Sequence, residues 1–135
     1  MTDLNNLIGL PWGFGPGRTD CLRLAIAAQE TYGRVIPLAW DYTPENYETR
    51  TRDIEHELKK IAYKIAAPEP GAVILFDFAP VFHLGTFISP THFLHIPRGG
   101  TSRLTRWSVP YQKRTIGIYR IKEVPLWQQS QSAHF

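Results

Sequence analysis

The sequence predicts an α+β domain in which N-terminal helices pack on a mainly antiparallel sheet of about five strands. Two segments with helical spacing of apolar residues come first, one directly after a glycine-rich loop and one over residues 51–65. After residue 71 the pattern changes to short runs of β-branched and aromatic residues separated by turn residues. Because the strands follow the helices as a group, this order favours α+β and not an alternating α/β arrangement.

The composition is typical of one globular domain. The chain has 135 residues, of which 43% are hydrophobic and 20% are charged, so we expect a single domain over residues 1–135. Residues 1–6 are predicted to be a short lead-in and residues 126–135 a polar tail. One cysteine cannot form an internal disulfide, so no oxidising compartment is required. We expect no signal peptide and no membrane span, so something else must carry the protein if it acts outside the cytoplasm.

Positive charge is concentrated in the second half of the chain. The formal net charge is +3, and residues 78–122 contain no acidic residue but seven basic ones: Arg98, Arg103, Arg106, Lys113, Arg114, Arg120 and Lys122. This distribution favours an anionic partner such as a nucleic acid or a cell-wall polymer. The alternative is that these basic residues lie on a solvent-exposed face of the strands. Since the sequence has no nucleic-acid-binding motif, we expect no nucleic-acid partner.

The first helix is predicted to begin at Cys21, the single cysteine of the chain. Asp20 is a suitable N-cap after the glycine-rich loop, and Gly33 is a natural stop. A thiol at a helix N-terminus faces unpaired N–H groups and a partial positive charge, which lower its pKa and stabilise an oxyanion. Cys21 is therefore a candidate nucleophile. The alternative is that it fills the core, as most buried free cysteines do.

The remaining elements follow in chain order. Residues 35–50 are predicted to form a long packed loop. The second helix has an apolar stripe that includes Ile61 and Ile65, and Pro68 and Pro70 end it. The predicted strands cover residues 72–76, 81–89, 91–97, 103–107 and 116–121.

Two histidines are candidates for the base that a cysteine nucleophile requires. His83 and His95 lie on the two strands of a predicted hairpin. An odd-numbered loop centred on Ser89 sets them directly opposite each other, with Cβ atoms within about 5 Å. His92 points to the other face than His95, because side chains alternate along a strand. If His83 faces the start of the Cys21 helix, a nucleophile, a base and an orienting group line up. The alternative is that both histidines are ordinary half-buried strand residues.

A zinc site is a competing interpretation. Cys21, His83 and His95 or His92 are suitable ligand types. The cysteine has no second ligand near it in the sequence, and structural zinc normally needs four ligands, so we expect no metal and no cofactor.

Four segments, taken in order, resemble the NlpC family of papain-like cell-wall cysteine peptidases. GLPWGFGPGRTDCLRL resembles the loop that opens the nucleophile helix of that family, and GAVILF resembles its later G-D-L-V-F-F strand. The segment His83-Leu84-Gly85-Thr86-Phe87 is similar to H-V-G-I-Y, and a second histidine follows twelve residues later in Phe93-Leu94-His95. The resemblance covers residues 7–121 and implies a papain-like, NlpC-type fold.

The resemblance also implies a role for each site residue. Cys21 is expected to be the nucleophile, His83 the general base and His95 the polar group that orients His83. Asp20 is expected to help hold the free amine of a stem peptide, and Trp12 occupies the place of a substrate-contacting tyrosine. The implied activity is that of a cysteine endopeptidase that hydrolyses peptide bonds in peptidoglycan stem peptides, commonly beside a γ-linked D-glutamate.

The chain departs from the family pattern beside the nucleophile. Leu22 and Arg23 replace a serine and a glycine, Ala72 replaces an aspartate, and Trp12 lacks a tyrosine hydroxyl. The residues after Cys21 look like those of short members associated with bacteriophage tails, which implies a virion component with tail or baseplate proteins as partners. The alternatives are a structural tail-tip or baseplate module with an inactive or occluded triad, and an acyltransferase or amidase that acts on another amide or ester.

Overall fold

The structure has the α+β fold that the sequence predicts. The computed structural model describes residues 3–36 and 51–122. In chain order these residues form a 3-10 helix (Leu4–Leu7), α1 (Cys21–Thr31), α2 (Ile54–Ile61), β1 (Ala62–Ile65), β2 (Val73–Phe78), β3 (Val81–Phe87), β4 (His92–His95), β5 (Arg103–Arg106), α3 (Val109–Lys113) and β6 (Thr115–Ile121). Residues 37–50 of the predicted loop and the predicted tail lie outside the described residues.

The strands form one sheet of six strands, one more than predicted, in the order β1-β6-β2-β3-β4-β5. Every strand pair of this sheet is antiparallel. β3 and β4, which carry the candidate histidines, are neighbours toward one side of the sheet, and α1 contacts both of them. The sheet therefore brings the histidine strands together beneath the helix of the candidate nucleophile.

α1 begins and ends where the sequence predicts. Asp20 is its N-cap, and Oδ1 of this carboxylate accepts a hydrogen bond from the Arg23 backbone N–H at 2.9 Å. Tyr32 is the C-cap. Gly33 follows with a φ of +75°, a left-handed conformation that glycine adopts without strain.

The second helix is shorter than predicted. α2 ends at Ile61, and the next four residues form β1, in which Ile65 pairs with Ile118 of β6. The prediction that Ile65 extends the helical stripe toward Pro68 is therefore wrong. The backbone hydrogen bonds available at the edge of β6 favour a strand, because tertiary pairing overrides a weak local preference for helix.

Apolar residues pack on both faces of the sheet. The α1-side cluster includes Cys21, Leu24, Ala28, Leu75, Leu84, Leu94 and Ile96. The aromatic-face cluster contains Ala72, Ile74, Phe76, Phe87, Phe93 and Ile118, with Phe78, Trp107 and Tyr111 packed against it. Since side chains alternate along a strand, consecutive residues of β2, β3 and β4 contribute to the two clusters in turn.

A short helix, α3, and the segment before α1 remain to be described. The sequence patterns do not predict α3. Its first turn contains Pro110, which lacks a backbone N–H, but an N–H in the first turn has no partner within the helix. Near the N-terminus, the Ser102 hydroxyl donates to the Leu7 carbonyl oxygen at 2.5 Å, and the Gly9 N–H donates to the Ser102 carbonyl oxygen at 2.8 Å. The segment before α1 is thus tied to the connection between β4 and β5. None of the described helices has the length and apolarity that crossing a bilayer requires.

Candidate active site

Cys21 is the first residue of α1, and only 1% of its surface is exposed. In the first helical turn, the backbone N–H of Arg23 donates to Oδ1 of Asp20 at 2.9 Å, and the backbone N–H of Leu24 donates to the Asp20 carbonyl oxygen at 3.0 Å. The helix terminus favours negative charge there, whether on a thiolate or on an oxyanion.

Asp20 uses its carboxylate within the chain. The residue is fully buried, and in addition to capping α1 it forms an ion pair with the guanidinium of Arg23, through Oδ2 and Nη1. The role of Asp20 in holding a substrate amine stays a prediction. An amine that binds there has to share Asp20 with Arg23 or displace that guanidinium.

The loop before α1 contacts the connection that leaves β4. The backbone N–H of Trp12 donates to the Gly100 carbonyl oxygen at 2.9 Å, and the guanidinium carbon of Arg98 lies 5.8 Å from the centroid of the Trp12 ring. Because this connection follows His95, the start of α1 and the histidine pair lie at the same end of the sheet. Trp12 itself is half-buried, and its role in substrate contact stays a prediction.

The structure brings His83 and His95 into direct contact. His83 Nε2 lies 2.9 Å from His95 Nδ1, and the two rings meet edge to face, with centroids 5.1 Å apart. Both residues are buried, with 4% and 2% of their surface exposed. A buried imidazole whose second nitrogen is held in this way has a defined orientation.

The hairpin register differs from the predicted one. Thr86 pairs with Leu94, which centres the loop between β3 and β4 on Pro90 and not on Ser89. The prediction that the two histidines are directly opposite is therefore wrong, and they form a diagonal pair. Proline is well suited to the centre of such a turn, but the sequence does not specify which turn residue is central.

Gly85 makes the diagonal contact accessible. Continuing the observed register sets Gly85 opposite His95, so no side chain stands between His95 and His83. Diagonal neighbours are about 7–8 Å apart at Cα, a gap that two imidazole rings bridge.

A threonine that the sequence patterns do not identify extends the hydrogen-bond chain. His95 Nε2 lies 3.0 Å from Thr105 Oγ1. If His83 carries its proton on Nε2 and donates it to His95 Nδ1, His95 carries its own on Nε2 and donates it to Thr105. This tautomer leaves Nδ1 of His83 with a lone pair, as a general base requires. Thr105 pairs with Phe93 in the β4–β5 register and so shares the face of His95. The β4–β5 register is what identifies Thr105 as part of the hydrogen-bond chain.

Burial keeps both histidines neutral near pH 7. Burial, followed by the nearby charge of His95, lowers the pKa of His83 from 6.5 to about 3. Burial, followed by the Arg103 guanidinium, lowers the pKa of His95 to about 4. A neutral imidazole accepts a proton, and an adjacent thiolate would raise the pKa of His83 again, since an opposite charge favours the imidazolium.

Cys21 and the histidines approach the sheet from different sides. Cys21 belongs to the α1-side cluster together with Leu84. The ring of His83 stacks on Phe78 of the other face, with centroids 5.0 Å apart. Because His83 and Leu84 are consecutive in β3, their side chains point to opposite faces. The structure therefore joins the two histidines directly and holds Cys21 at the same end of the sheet on the α1 side.

The other histidines of the described chain lie away from this pair. His56 on α2 and His92 on β4 are both exposed. Across residues 3–36 and 51–122, no group of three or more His, Cys, Asp or Glu side chains is placed to hold a metal ion.

A cavity of about 650 Å³ opens on the aromatic face beside the histidine pair. Its lining includes both histidines, Tyr111 of α3 and three arginines: Arg98, Arg103 and Arg114. The cavity gives a ligand access to the histidines from the face opposite α1.

Two solved structures with this fold are described as NLP/P60 family proteins. A protein from Staphylococcus aureus, described as similar to a lipoprotein of the NLP/P60 family, superposes with a TM-score of 0.61 at 18% identity, over 88% of this chain and 39% of that one. An NlpC/P60 family protein from Bacillus cereus superposes with a TM-score of 0.58 at 19% identity, over 87% of this chain and 37% of that one. The chain thus spans less than two fifths of the length of either protein. No protein-family model and no curated protein matches the sequence.

At these identities the likeness establishes the fold. The helices and the antiparallel sheet of this chain are arranged as in structures of the NLP/P60 family, in agreement with the NlpC-type fold that the sequence predicts.

Proposed function

We propose that the chain is a thiol hydrolase that cleaves amide bonds in peptidoglycan stem peptides. The observation that carries the proposal is the buried hydrogen bond of 2.9 Å between His83 and His95, at the sheet end where α1 begins with Cys21. A base held by a second polar group is what a cysteine nucleophile requires. The likeness to NLP/P60 family structures supports the same assignment.

The proposed reaction requires the sulfur of Cys21 to reach Nδ1 of His83 at the end of the sheet. The sulfur attacks the scissile carbonyl carbon while its proton passes to that nitrogen. The partial positive charge at the start of α1 stabilises the oxyanion. The carbon–nitrogen bond breaks as His83 protonates the leaving amine, which leaves a thioester on Cys21. A water molecule, deprotonated by His83, then hydrolyses the thioester and releases the carboxylic acid. His95 is a positioning residue that holds the tautomer of His83.

The substrate class is supported by the sequence resemblance and by the family of the structures that share the fold. We further propose that a bacteriophage tail or baseplate carries the domain from the cytoplasm of the producing cell to the wall of the next host. The bulky pair Leu22 and Arg23 after the nucleophile supports this role, because the short tail-associated members look similar there.

The proposal is tested by mass spectrometry of purified peptidoglycan fragments after incubation with the protein and with its Cys21→Ala variant. The wild-type protein should release new peptide fragments, and the variant should release none while its circular dichroism spectrum stays unchanged. Equal cleavage by both proteins would show that Cys21 is not the nucleophile.

A second candidate function is a structural tail module in which Cys21 is a core residue. The observation that favours it is the 1% exposure of Cys21 within the α1-side cluster. In that case neither protein cleaves the fragments, and Cys21→Ala only lowers the free energy of unfolding, by about 1–2 kcal/mol for the lost buried volume.

A further inference from the structure

We infer that the cavity beside the histidine pair binds the carboxylate groups of an acidic peptide and that Arg103 and Arg114 are the residues that select it. The identity of the peptide rests on the proposed function. The preference for carboxylates rests on the charge and shape of the cavity itself.

The cavity lining is positively charged. It contains three guanidinium groups, and none of the described residues that line it is acidic. The two histidines of the lining are neutral near pH 7, so the positive charge comes from the guanidinium groups alone.

Arg103 and Arg114 are available for a ligand. Elsewhere in the described part of the chain, Arg23 pairs with the carboxylate of Asp20, and Arg120 pairs with that of Glu69 at 2.6 Å. Arg103 and Arg114 form no salt bridge with any described residue, although both are exposed at the cavity. An anion bound there would neutralise charge that the described chain leaves uncompensated.

The two arginines flank the histidine pair. The guanidinium carbon of Arg114 lies 5.9 Å from the ring centroid of Phe78, and Phe78 in turn stacks on His83. Arg103 is the register partner of His95 across β4 and β5. A carboxylate that enters the cavity therefore meets one guanidinium beside His95 and another beside the ring of Phe78. A guanidinium binds carboxylates through two parallel hydrogen bonds.

The rest of the lining suits the apolar part of a short peptide. Phe78, Val81 and Tyr111 line the cavity together with three prolines, so aliphatic stems can pack there while the carboxylates face the arginines. The volume of 650 Å³ lies within the range of about 300–1,000 Å³ that small-ligand sites occupy. We therefore assign the cavity to a peptide segment with free carboxylates.

Calorimetric titration of the Cys21→Ala protein, which cannot consume its substrate, tests the inference. The probes are a synthetic stem peptide that contains γ-linked D-glutamate with free carboxylates and the same peptide with every carboxylate converted to a carboxamide. The free acid should bind at least about tenfold more tightly than the amide. Adding Arg103→Gln or Arg114→Gln should each weaken binding of the free acid about five- to tenfold and leave binding of the amide unchanged.

Arg106→Gln is the matched control. Arg106 lies on β5 like Arg103, but it is three positions along the strand, pairs with exposed His92 and does not line the cavity. Its replacement should leave both affinities unchanged. Equal affinity for the two peptides, no binding of either, or the same loss in Arg106→Gln would overturn the inference.

The inference and the proposed function fail in different ways. If the wild-type protein cleaves neither peptide but binding depends on Arg103 and Arg114 as described, the cavity assignment stands and the hydrolase does not. If cleavage depends on Cys21 but amidation changes neither binding nor rate, the hydrolase stands and the cavity assignment is wrong.

Discussion

His83 has two ring nitrogens, and the partner of one determines the chemistry of the other. Nε2 is engaged by His95, which is engaged in turn by Thr105. A proton on each Nε2 satisfies both bonds and leaves Nδ1 of His83 as an acceptor. We expect the Thr105 hydroxyl, acting as the acceptor from His95, to favour this tautomer of His83, a residue that it does not touch.

Replacing Thr105 with valine should loosen this selection. Valine has nearly the same shape but no hydroxyl, so the tautomers of His95 and then His83 become mixed. We expect kcat for fragment cleavage to fall about tenfold with little change in KM, and serine at the same position to restore most of it. Nitrogen chemical shifts of the imidazoles should report protonated Nε2 in the wild-type protein and a mixture in the variant. An unchanged spectrum and rate would contradict the role of Thr105. The control is Thr101→Val, because Thr101 is an exposed threonine before β5.

The buried histidines also predict how stability depends on pH. In the unfolded chain they bind protons near pH 6.5, whereas in the native state they do so only near pH 3 and pH 4. Below about pH 6.5 the unfolded chain therefore binds more protons, and stability falls as the pH is lowered toward the native values, by up to about 1.4 kcal/mol per pH unit for each histidine.

Urea unfolding between about pH 7 and about pH 5 measures this loss above the range where most carboxylates titrate. The His95→Gln variant should show a shallower slope because one buried histidine is removed. A stability that stays constant or rises as the pH falls would contradict the buried, neutral state of the pair.

The sequence predicts where the candidate site residues lie in the helices and strands better than it predicts which residues they contact. Cys21 at the start of a helix follows from local signals, since the glycine-rich loop and the Asp20 cap lie beside it in the chain. Thr105 and the cavity arginines depend on how β5 pairs with β4, and no local signal specifies that pairing.

Among the elements, the β3–β4 hairpin shows that a sequence pattern predicts the positions of strands but not their register. Both strands form where the β-forming residues predict them, but the loop centre moves by one residue, from Ser89 to Pro90. The histidines keep their contact because they change from a direct to a diagonal pair. Gly85 allows this change, so its missing side chain is a structural requirement of the site.

Gly85→Ala should therefore disturb the pair. A Cβ at this position would lie 2.8 Å from Cδ2 of Phe93, a residue that is fully buried and cannot swing away. We expect the free energy of unfolding to fall by about 1–3 kcal/mol in urea titrations. Gly100→Ala, whose nearest contact would be 3.4 Å away, should cost clearly less. Equal costs for the two variants would argue against close packing at Gly85.

The second helix and β1 show why local patterns fail at element boundaries. Ile65 fits a helical stripe and equally fits a strand that pairs with Ile118. The choice between them is made by the available edge of β6, which lies more than fifty residues away in the chain. A pattern within residues 51–65 does not contain that information.

In the molecule as a whole, the sheet lies between the two groups of residues that the proposed function needs together. The helix with Cys21 packs on one face, and the cavity with its arginines opens on the other. His83 and His95 lie where these two sides meet, at the sheet end to which the loop before α1 is also bonded. The proposed hydrolase requires the Cys21 sulfur to reach Nδ1 of His83 at this end.

The most direct test of that requirement is the alkylation rate of Cys21 by iodoacetamide, measured between about pH 5 and about pH 9 in the wild-type protein and in His83→Gln. If His83 takes the proton of Cys21, the native wild-type thiol should react well below the ordinary cysteine pKa of about 8.5, and His83→Gln should slow the reaction near pH 6 at least about tenfold. Circular dichroism confirms that the variant is folded. Superimposable rate profiles for the two proteins would contradict the account, because Cys21 would then be chemically independent of His83.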